Sequence, residues 1–310
     1  MLLVASVAVL LAAGTLLSYL GRFSWVLDNL ASFRPQLTAG LAISGVFLLL
    51  GRWPKTAAVI GLVTLINLAT LLPLFIPGET TSGERDVRIL SFNLLSDNEN
   101  FDGVIDYIRQ TKADLVVLHE ASLPWEEAIA EAGLGYEMTI TKHENGIFGS
   151  LVLAPPGAFV ESFGFGVTDP RAVEVVMPAG LTVLAIHPLS PSTPRRATLR
   201  DQQLAFAGQW VTQQSTPLAV VGDFNAGPFS YAYRRLRATT GLKDSIRGYG
   251  LENTYPVRAA PILRVSIDHL LYSEGVAIIG RTLGPALGSD HFPLVIDLSL
   301  SGDGAASVAP

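Results

Sequence analysis

Apolar and polar positions divide the chain into two parts with different rhythms. No charged side chain occurs from Met1 to Gly21, from Gln36 to Gly51, or from Thr56 to Gly78. Beyond Val87 the apolar residues come in short bursts separated by polar and Gly/Pro-rich turns. The three uncharged stretches predict membrane-spanning helices. A bilayer core of about 30 Å takes about 20 helical residues, which the first and third stretches supply and the second supplies marginally, so two spans are the alternative to three. A cleaved signal peptide is the rival reading of the first stretch. The absence of basic residues at its front, and the two apolar segments behind it, favour a retained span.

Between the first two stretches, Phe23, Val26, Leu27, Leu30 and Phe33 recur at helical spacing around Trp25, Asp28 and Arg34. That pattern fits either a helix lying flat at the interface or an apolar loop. Orientation rests on few charges. Arg22 and Arg34 lie in the longer connection, Arg52 and Lys55 in the compact Gly51-Arg52-Trp53-Pro54-Lys55 turn. The denser positive charge places that turn in the cytoplasm, and with three spans the C-terminal part then lies outside. Pro77, Gly78, Ser82 and Gly83 mark the exit from the apolar region. The organisation read from these signals is an anchor over 1–78, a linker over 79–86, one globular domain over 87–299 and a disordered tail over 300–310.

Within the domain, strand-like runs are predicted at Val87–Phe92, Leu115–Leu118, Ser150–Ala154, Val173–Met177, Thr182–Ile186, Leu218–Val221, Val265–Leu271 and Leu294–Leu298. Most are apolar without alternation, as strands covered on both faces require. Helical spacing appears at Val104, Ile105 and Ile108, and again at Leu199, Leu204, Ala207, Trp210 and Val211, with a third helix over Ser230–Ala238. Strands interleaved with helices predict an α/β sandwich, two sheets face to face with helices outside.

Composition agrees with membrane attachment. Hydrophobic residues make up 49% of the 310 and charged residues only 15%, too apolar for an ordinary soluble chain. From Gly78 onward the chain carries 17 basic and 26 acidic residues, which disfavours tight non-specific nucleic-acid binding. The absence of cysteine excludes disulfides and thiolate metal ligands.

Polar residues at the ends of buried strands are costly unless they line a cleft. Asn93, Glu120, His187, Asp223 and Asn225 each follow such a run; Asp268 lies within one, and Asp290 and His291 precede one. A lone Asn93 would read as a turn or cap, but eight such positions do not. Oxygen donors of this kind suit a hard divalent cation, Mg²⁺ with Mn²⁺ as the alternative, better than zinc. Carboxylate–imidazole pairs beside a cation suit phosphate ester hydrolysis, in which charge must be absorbed while water is activated.

The order Asn93, Glu120, His187, Gly222-Asp223-Phe224-Asn225, Ile267-Asp268-His269 and Ser289-Asp290-His291 resembles the endonuclease/exonuclease/phosphatase superfamily, over about Val87 to Leu298. The resemblance implies a four-layered α/β sandwich with the site at one edge of the packed sheets. It implies metal binding by Glu120 assisted by Asn93 and Asp290, and His291 as general base or phosphate contact oriented by Asp268. Asp223 and Asn225 would position the nucleophile or phosphoryl oxygens, and His187 would stabilise the transition state or protonate the leaving group. His119 stands where the family commonly has Gln and is read as a core or supporting residue. His143 and His269 are read as bland positions. Arg195 and Arg196 are candidate phosphate contacts at the rim, whereas Arg234, Arg235 and Arg237 read as a solvated helix face.

The apolar segments narrow the expected substrate. The layout is similar to membrane-anchored bacterial members, including a vancomycin/teicoplanin-resistance-associated group linked to a lipid-borne pyrophosphate. The expected function is a multi-pass, Mg²⁺-dependent phosphohydrolase acting outside the cell membrane on a lipid phosphate or pyrophosphate, with membrane lipids as partners. The alternatives are a tethered nuclease and a catalytically silent lipid- or partner-binding domain.

Overall fold

The structure, a computed structural model, describes residues 1–77, 84–141, 149–164, 171–215 and 217–300. His143, most of the expected linker and the tail beyond Leu300 lie outside the described residues.

Four helices form the N-terminal region: α1 (Leu2–Ser18), α2 (Trp25–Ala31), α3 (Arg34–Leu50) and α4 (Pro54–Leu71), the last extended by a 3₁₀ turn over Leu72–Leu74. The stretch from Phe23 to Phe33, open between helix and loop in the sequence, is therefore largely helical. Helices α1, α3 and α4 pack together with an inverted polarity. Their interior holds Thr15, Ser18, Thr38, Ser44, Thr64 and Asn67 beside Ala8, Leu41 and Ile60, while Leu10, Ile43, Phe47, Leu50, Val59 and Leu65 are exposed. Thr38 Oγ1 donates within its own helix to Arg34 O at 2.7 Å and Thr64 Oγ1 to Ile60 O at 2.8 Å, while Thr15 Oγ1 of α1 accepts from Asn67 Nδ2 of α4 at 3.5 Å. Among the described residues, taken singly, only the helix over Pro54–Leu74 is long and apolar enough to cross a bilayer, against the three spans expected; α2 and α3 meet that test as a pair bent by 67°, and α1 is shorter.

The remaining elements are β1 (Val87–Asn93), α5 (Phe101–Thr111), β2 (Leu115–Ala121), α6 (Leu123–Glu131), β3 (Glu137–Thr141), β4 (Gly149–Ala154), β5 (Phe159–Gly164), β6 (Arg171–Val176), β7 (Thr182–Ala185), α7 (Pro194–Gln213), β8 (Leu218–Asp223), α8 (Tyr231–Thr240), β9 (Lys243–Asp244), β10 (Asp268–Tyr272), β11 (Val276–Leu283) and β12 (Leu294–Leu300). They build two six-stranded mixed sheets, ordered β11-β12-β1-β2-β4-β3 and β5-β6-β7-β8-β10-β9.

Alternation along each strand explains the layers. Val87, Ile89, Leu115 and Val117 from one sheet meet Val173, Val183, Ala219 and Val221 from the other in a shared core. The intervening Leu90, Phe92, Val116 and Leu118 pack under α5 and α6 with Trp125. Leu184, Leu218 and Val220 pack under α7 and α8 with Trp210 and Tyr233. Both faces of the central strands are covered, so their sequences read as unbroken apolar runs. The result is the expected helix–sheet–sheet–helix sandwich.

Three details differ from expectation. Asp268 opens β10 instead of lying inside a strand, because Val265 leaves the ladder for a lone bridge to Tyr255. Strand β12 runs through Leu300, which pairs with Val276, one residue past the expected domain boundary. Strands β3, β5, β9 and β11 and helix α6 were not expected.

Candidate active site

Parallel pairing sets the site. Strands β1 and β2 run side by side in the first sheet, with Asn93 opposite His119, so Asn93 and Glu120 finish together. In the second sheet β7 runs parallel to β8, and β10 returns antiparallel with Asp268 opposite Asp223. Strand ends from both sheets thus meet at one edge, with His187 just beyond β7 and Ser289-Asp290-His291 leading into β12.

Close approach there depends on Gly222. With φ of 141°, its position is one where an added Cβ would run into the Ile186 carbonyl oxygen and His119 Nε2. Glycine therefore lets β8 seat against the end of β7 and brings Asp223 beneath His187.

Asn93, 1% exposed, donates from Nδ2 to Glu120 Oε1 at 2.9 Å and to Asp223 Oδ2 at 3.1 Å. His187 Nε2 lies 3.6 Å from Asp223 Oδ2 and 3.8 Å from Glu120 Oε1. His291 Nδ1 is 2.8 Å from Asp268 Oδ2, and its Nε2 is 3.8 Å from Asp223 Oδ2. Asp223 therefore stands between two imidazoles. Asn225 folds back on it, its backbone N–H donating to Asp223 Oδ1 at 2.8 Å and its Nδ2 to Pro188 O at 3.0 Å. Ser289 ties the loop before β12 to the end of β1, donating to Asn93 O at 2.7 Å while accepting from His291 N–H at 3.0 Å.

Charge follows from these contacts. Burial works against an imidazolium at His291, but Asp268 and Asp223 outweigh it and raise its pKa to about 10. Burial likewise opposes charge on His187, and Asp223 and Glu120 overcome it, raising its pKa. For Asp223 burial favours the neutral acid, yet His291 and His187 hold the carboxyl well below the usual range. Buried His119 is the reverse case: desolvation, with His187 beside it, drives its pKa well below the ordinary value.

A divalent cation fits this donor set. Carboxylate oxygens of Asp223 and Asp268 lie within 4.8 Å of one another beside His291, and Asp268 Oδ1 is buried with no hydrogen-bond partner. In this arrangement Asn93 turns its NH₂ toward the carboxylates while its oxygen accepts from Leu95 N–H, so it orients Glu120 and Asp223 as a donor. Asp290 lies beside His291 and Tyr255, adding to the negative potential at both, and its backbone carbonyl accepts from Val257 N–H at 2.8 Å.

The eight strand-end positions singled out in the sequence, Asn93, Glu120, His187, Asp223, Asn225, Asp268, Asp290 and His291, thus gather at one edge. Arg195 and Arg196 are exposed at the start of α7, where Arg196 Nε donates to Ser190 O at 3.0 Å. His119 is a core residue whose Nδ1 bonds Ser150 Oγ at 2.9 Å. His269 is also buried, Nε2 meeting Ala226 O at 2.9 Å. Sequence reasoning missed Tyr255, whose ring lies against His291 at 4.8 Å, and Thr254, whose hydroxyl accepts from the Asp268 backbone N–H at 3.3 Å. It also missed Asp28 and the burial of Arg200 (below).

Residues 90–291 match the model of the Endonuclease/Exonuclease/phosphatase family. The chain belongs to that family. It is accordingly an enzyme of phosphoester hydrolysis, in a family whose members typically use divalent metals. Solved structures share the fold. An endonuclease/exonuclease/phosphatase from Bacteroides vulgatus is 18% identical, with a TM-score of 0.57 over 70% of this chain and 100% of that one. The Neisseria 3′ phosphatase NExo, bound to a product DNA hairpin, is 18% identical, with a TM-score of 0.57 over 69% of this chain and 99% of that one. The human Nocturnin catalytic domain with bound sulfate is 18% identical, with a TM-score of 0.55 over 70% of this chain and 94% of that one. A search of curated proteins gave no match.

Proposed function

We propose that this family member is a membrane-anchored phosphohydrolase that cleaves a phosphoester or phosphoanhydride carried on a lipid, with its catalytic domain on the outer face of the membrane. The observation that carries this reading is the packing of an inside-out helical bundle against the pocket's edge. Asn29 Nδ2 donates to Pro191 O at 3.2 Å, in the loop that follows His187. Gln36 Nε2 donates to Arg264 O at 2.9 Å, beside the Tyr255–Val265 bridge. Ile262 and Leu263, on the same loop, are 66% and 56% exposed. Large apolar side chains outside and small polar ones inside suit a lipid environment, and a pocket against such a bundle suits a substrate presented at the bilayer surface.

Glu120 and Asp223, with Asp268 and Asp290 close by, would hold Mg²⁺ or Mn²⁺, which neutralises charge on the phosphoryl oxygens. The side chains supply the rest. Asp223, kept ionised, accepts the hydrogen bond that orients the attacking water and takes up its proton. His291, backed by Asp268, is held as an imidazolium and donates to a phosphoryl oxygen. An imidazole must be deprotonated before it can act as a base, so in this charge state His291 takes the second of its two expected roles, contact with the phosphate. His187, the more exposed of the two imidazoles, donates to the leaving oxygen.

The nuclease alternative draws support from the exposed Arg195 and Arg196 near the His187 loop, where a nucleic-acid backbone would find two cations. Purified protein in vesicles doped with polyprenyl pyrophosphate, compared with supercoiled plasmid under the same conditions, separates the readings. Phosphate release from the vesicles is expected. Plasmid nicking without phosphate release would establish the nuclease instead.

A further inference from the structure

Asp28 is the only acidic residue before Gly78, and it is not directed to solvent. It leaves α2 and enters the catalytic domain, where it pairs with Arg200 of α7: Arg200 Nη2 lies 2.8 Å from Asp28 Oδ2, with 1% and 3% of the two side chains exposed. The other Asp28 oxygen accepts from the backbone N–H of Tyr231, the first residue of α8. Arg200 then reaches onward, Nη1 donating to the backbone carbonyl of Asn225 at 2.7 Å.

Asn225 holds a left-handed backbone, φ 49°, in the turn that follows β8. Asparagine tolerates that region better than other side-chain-bearing residues, and here three contacts fix the turn. Asn225 N–H binds Asp223 from one side, Arg200 grips the Asn225 carbonyl from the other, and His269 takes the carbonyl of the next residue, Ala226. The turn also presses on the N-terminal helices, since an added Cβ on Gly227 would meet the Ser32 side chain at 2.6 Å.

We propose that Asp28 and Arg200 are a positioning pair through which the N-terminal helices set the Asn225 turn, and through it the orientation of Asp223. The inference rests on the catalytic reading of Asp223. It makes the helical region part of the active machinery as well as an anchor. Two buried charges separated by 172 positions in the chain give little stability over an apolar pair of the same size. Their distinctive contribution is direction: Arg200 is fixed by Asp28 at Nη2 and by its exposed neighbour Asp201 at Nε, 2.6 Å away, and its remaining Nη1 is thereby aimed at Asn225.

The full-length protein in detergent provides the test, with thermal unfolding, hydrogen exchange in the peptide spanning 223–231, and kcat and KM on a lipid pyrophosphate as separate readouts. Asp28→Asn should lower kcat about 100-fold with KM nearly unchanged, as a misplaced catalytic group does. It should also lower the melting temperature and accelerate exchange in 223–231. The apolar double variant Asp28→Leu/Arg200→Met removes the unpaired charge, so the melting temperature should return while kcat stays low and exchange stays fast. Recovery of normal kcat and slow exchange in the double variant would reduce the pair to a structural ion pair and overturn the proposal; so would a normal kcat in Asp28→Asn. If the wild type releases no phosphate, the functional reading fails, while exchange still decides the positioning role.

Discussion

Asp223 lies between the imidazoles of His187 and His291, and each of the three depends on the others for its charge. Removing one member therefore changes the rest. Glu120→Gln and His291→Ala should each lower turnover about 1000-fold, within the span of acid–base and electrostatic effects, with unchanged circular dichroism. Near-normal rates in either would remove that residue from the chemistry. The pair of His291 with Asp268 also has a pH signature. Because the pKa of His291 is raised from 6.5 to about 10, its stabilisation is complete below 6.5 and is lost as pH rises through about 10. The stability gap between wild type and His291→Ala, measured by thermal unfolding in chelator, should be widest at acid pH and close toward the alkaline end; a gap that widens with pH would contradict the assignment. Residues of this class were legible in the sequence because a polar group after an apolar strand stands out locally. Tyr255, Thr254 and Asp28 were not, since their significance comes only from what the fold sets beside them.

Among elements, the strands read correctly from sequence are those covered on both faces. Strands β1, β2, β4 and β8 are nearly all buried, and their unbroken apolar runs follow from that. Edge strands carry no such mark. The outward residues of β3 and β5 are exposed, and β9 has two residues. Helix α6 has a weak apolar stripe and is held mainly through Trp125 and Ile129. The junction of β7 and β8 gives a prediction at this scale. Gly222→Ala should destabilise by about 3 kcal/mol, because the side chain meets backbone that cannot give way and φ is unfavourable. A thermal unfolding curve matching wild type would show that the strand ends are looser than described.

For the whole molecule, the N-terminal helices and the catalytic sandwich are joined by the Asp28–Arg200 pair and by the contacts of Asn29 and Gln36 with the pocket's rim. The sequence announced the two regions through their different patterns but could not tell that they touch. An inside-out bundle in lipid should remain with membranes after alkaline carbonate washing; release into the supernatant would contradict the anchored reading. The central claim is that carboxylates holding a divalent cation, together with two imidazoles, cleave a P–O bond in one pocket. The rate of phosphate release from vesicle-borne polyprenyl pyrophosphate, followed through addition of EDTA and then excess Mg²⁺, tests it most directly. The account predicts loss of release on chelation and recovery with Mg²⁺; release that continues unchanged in EDTA would contradict it.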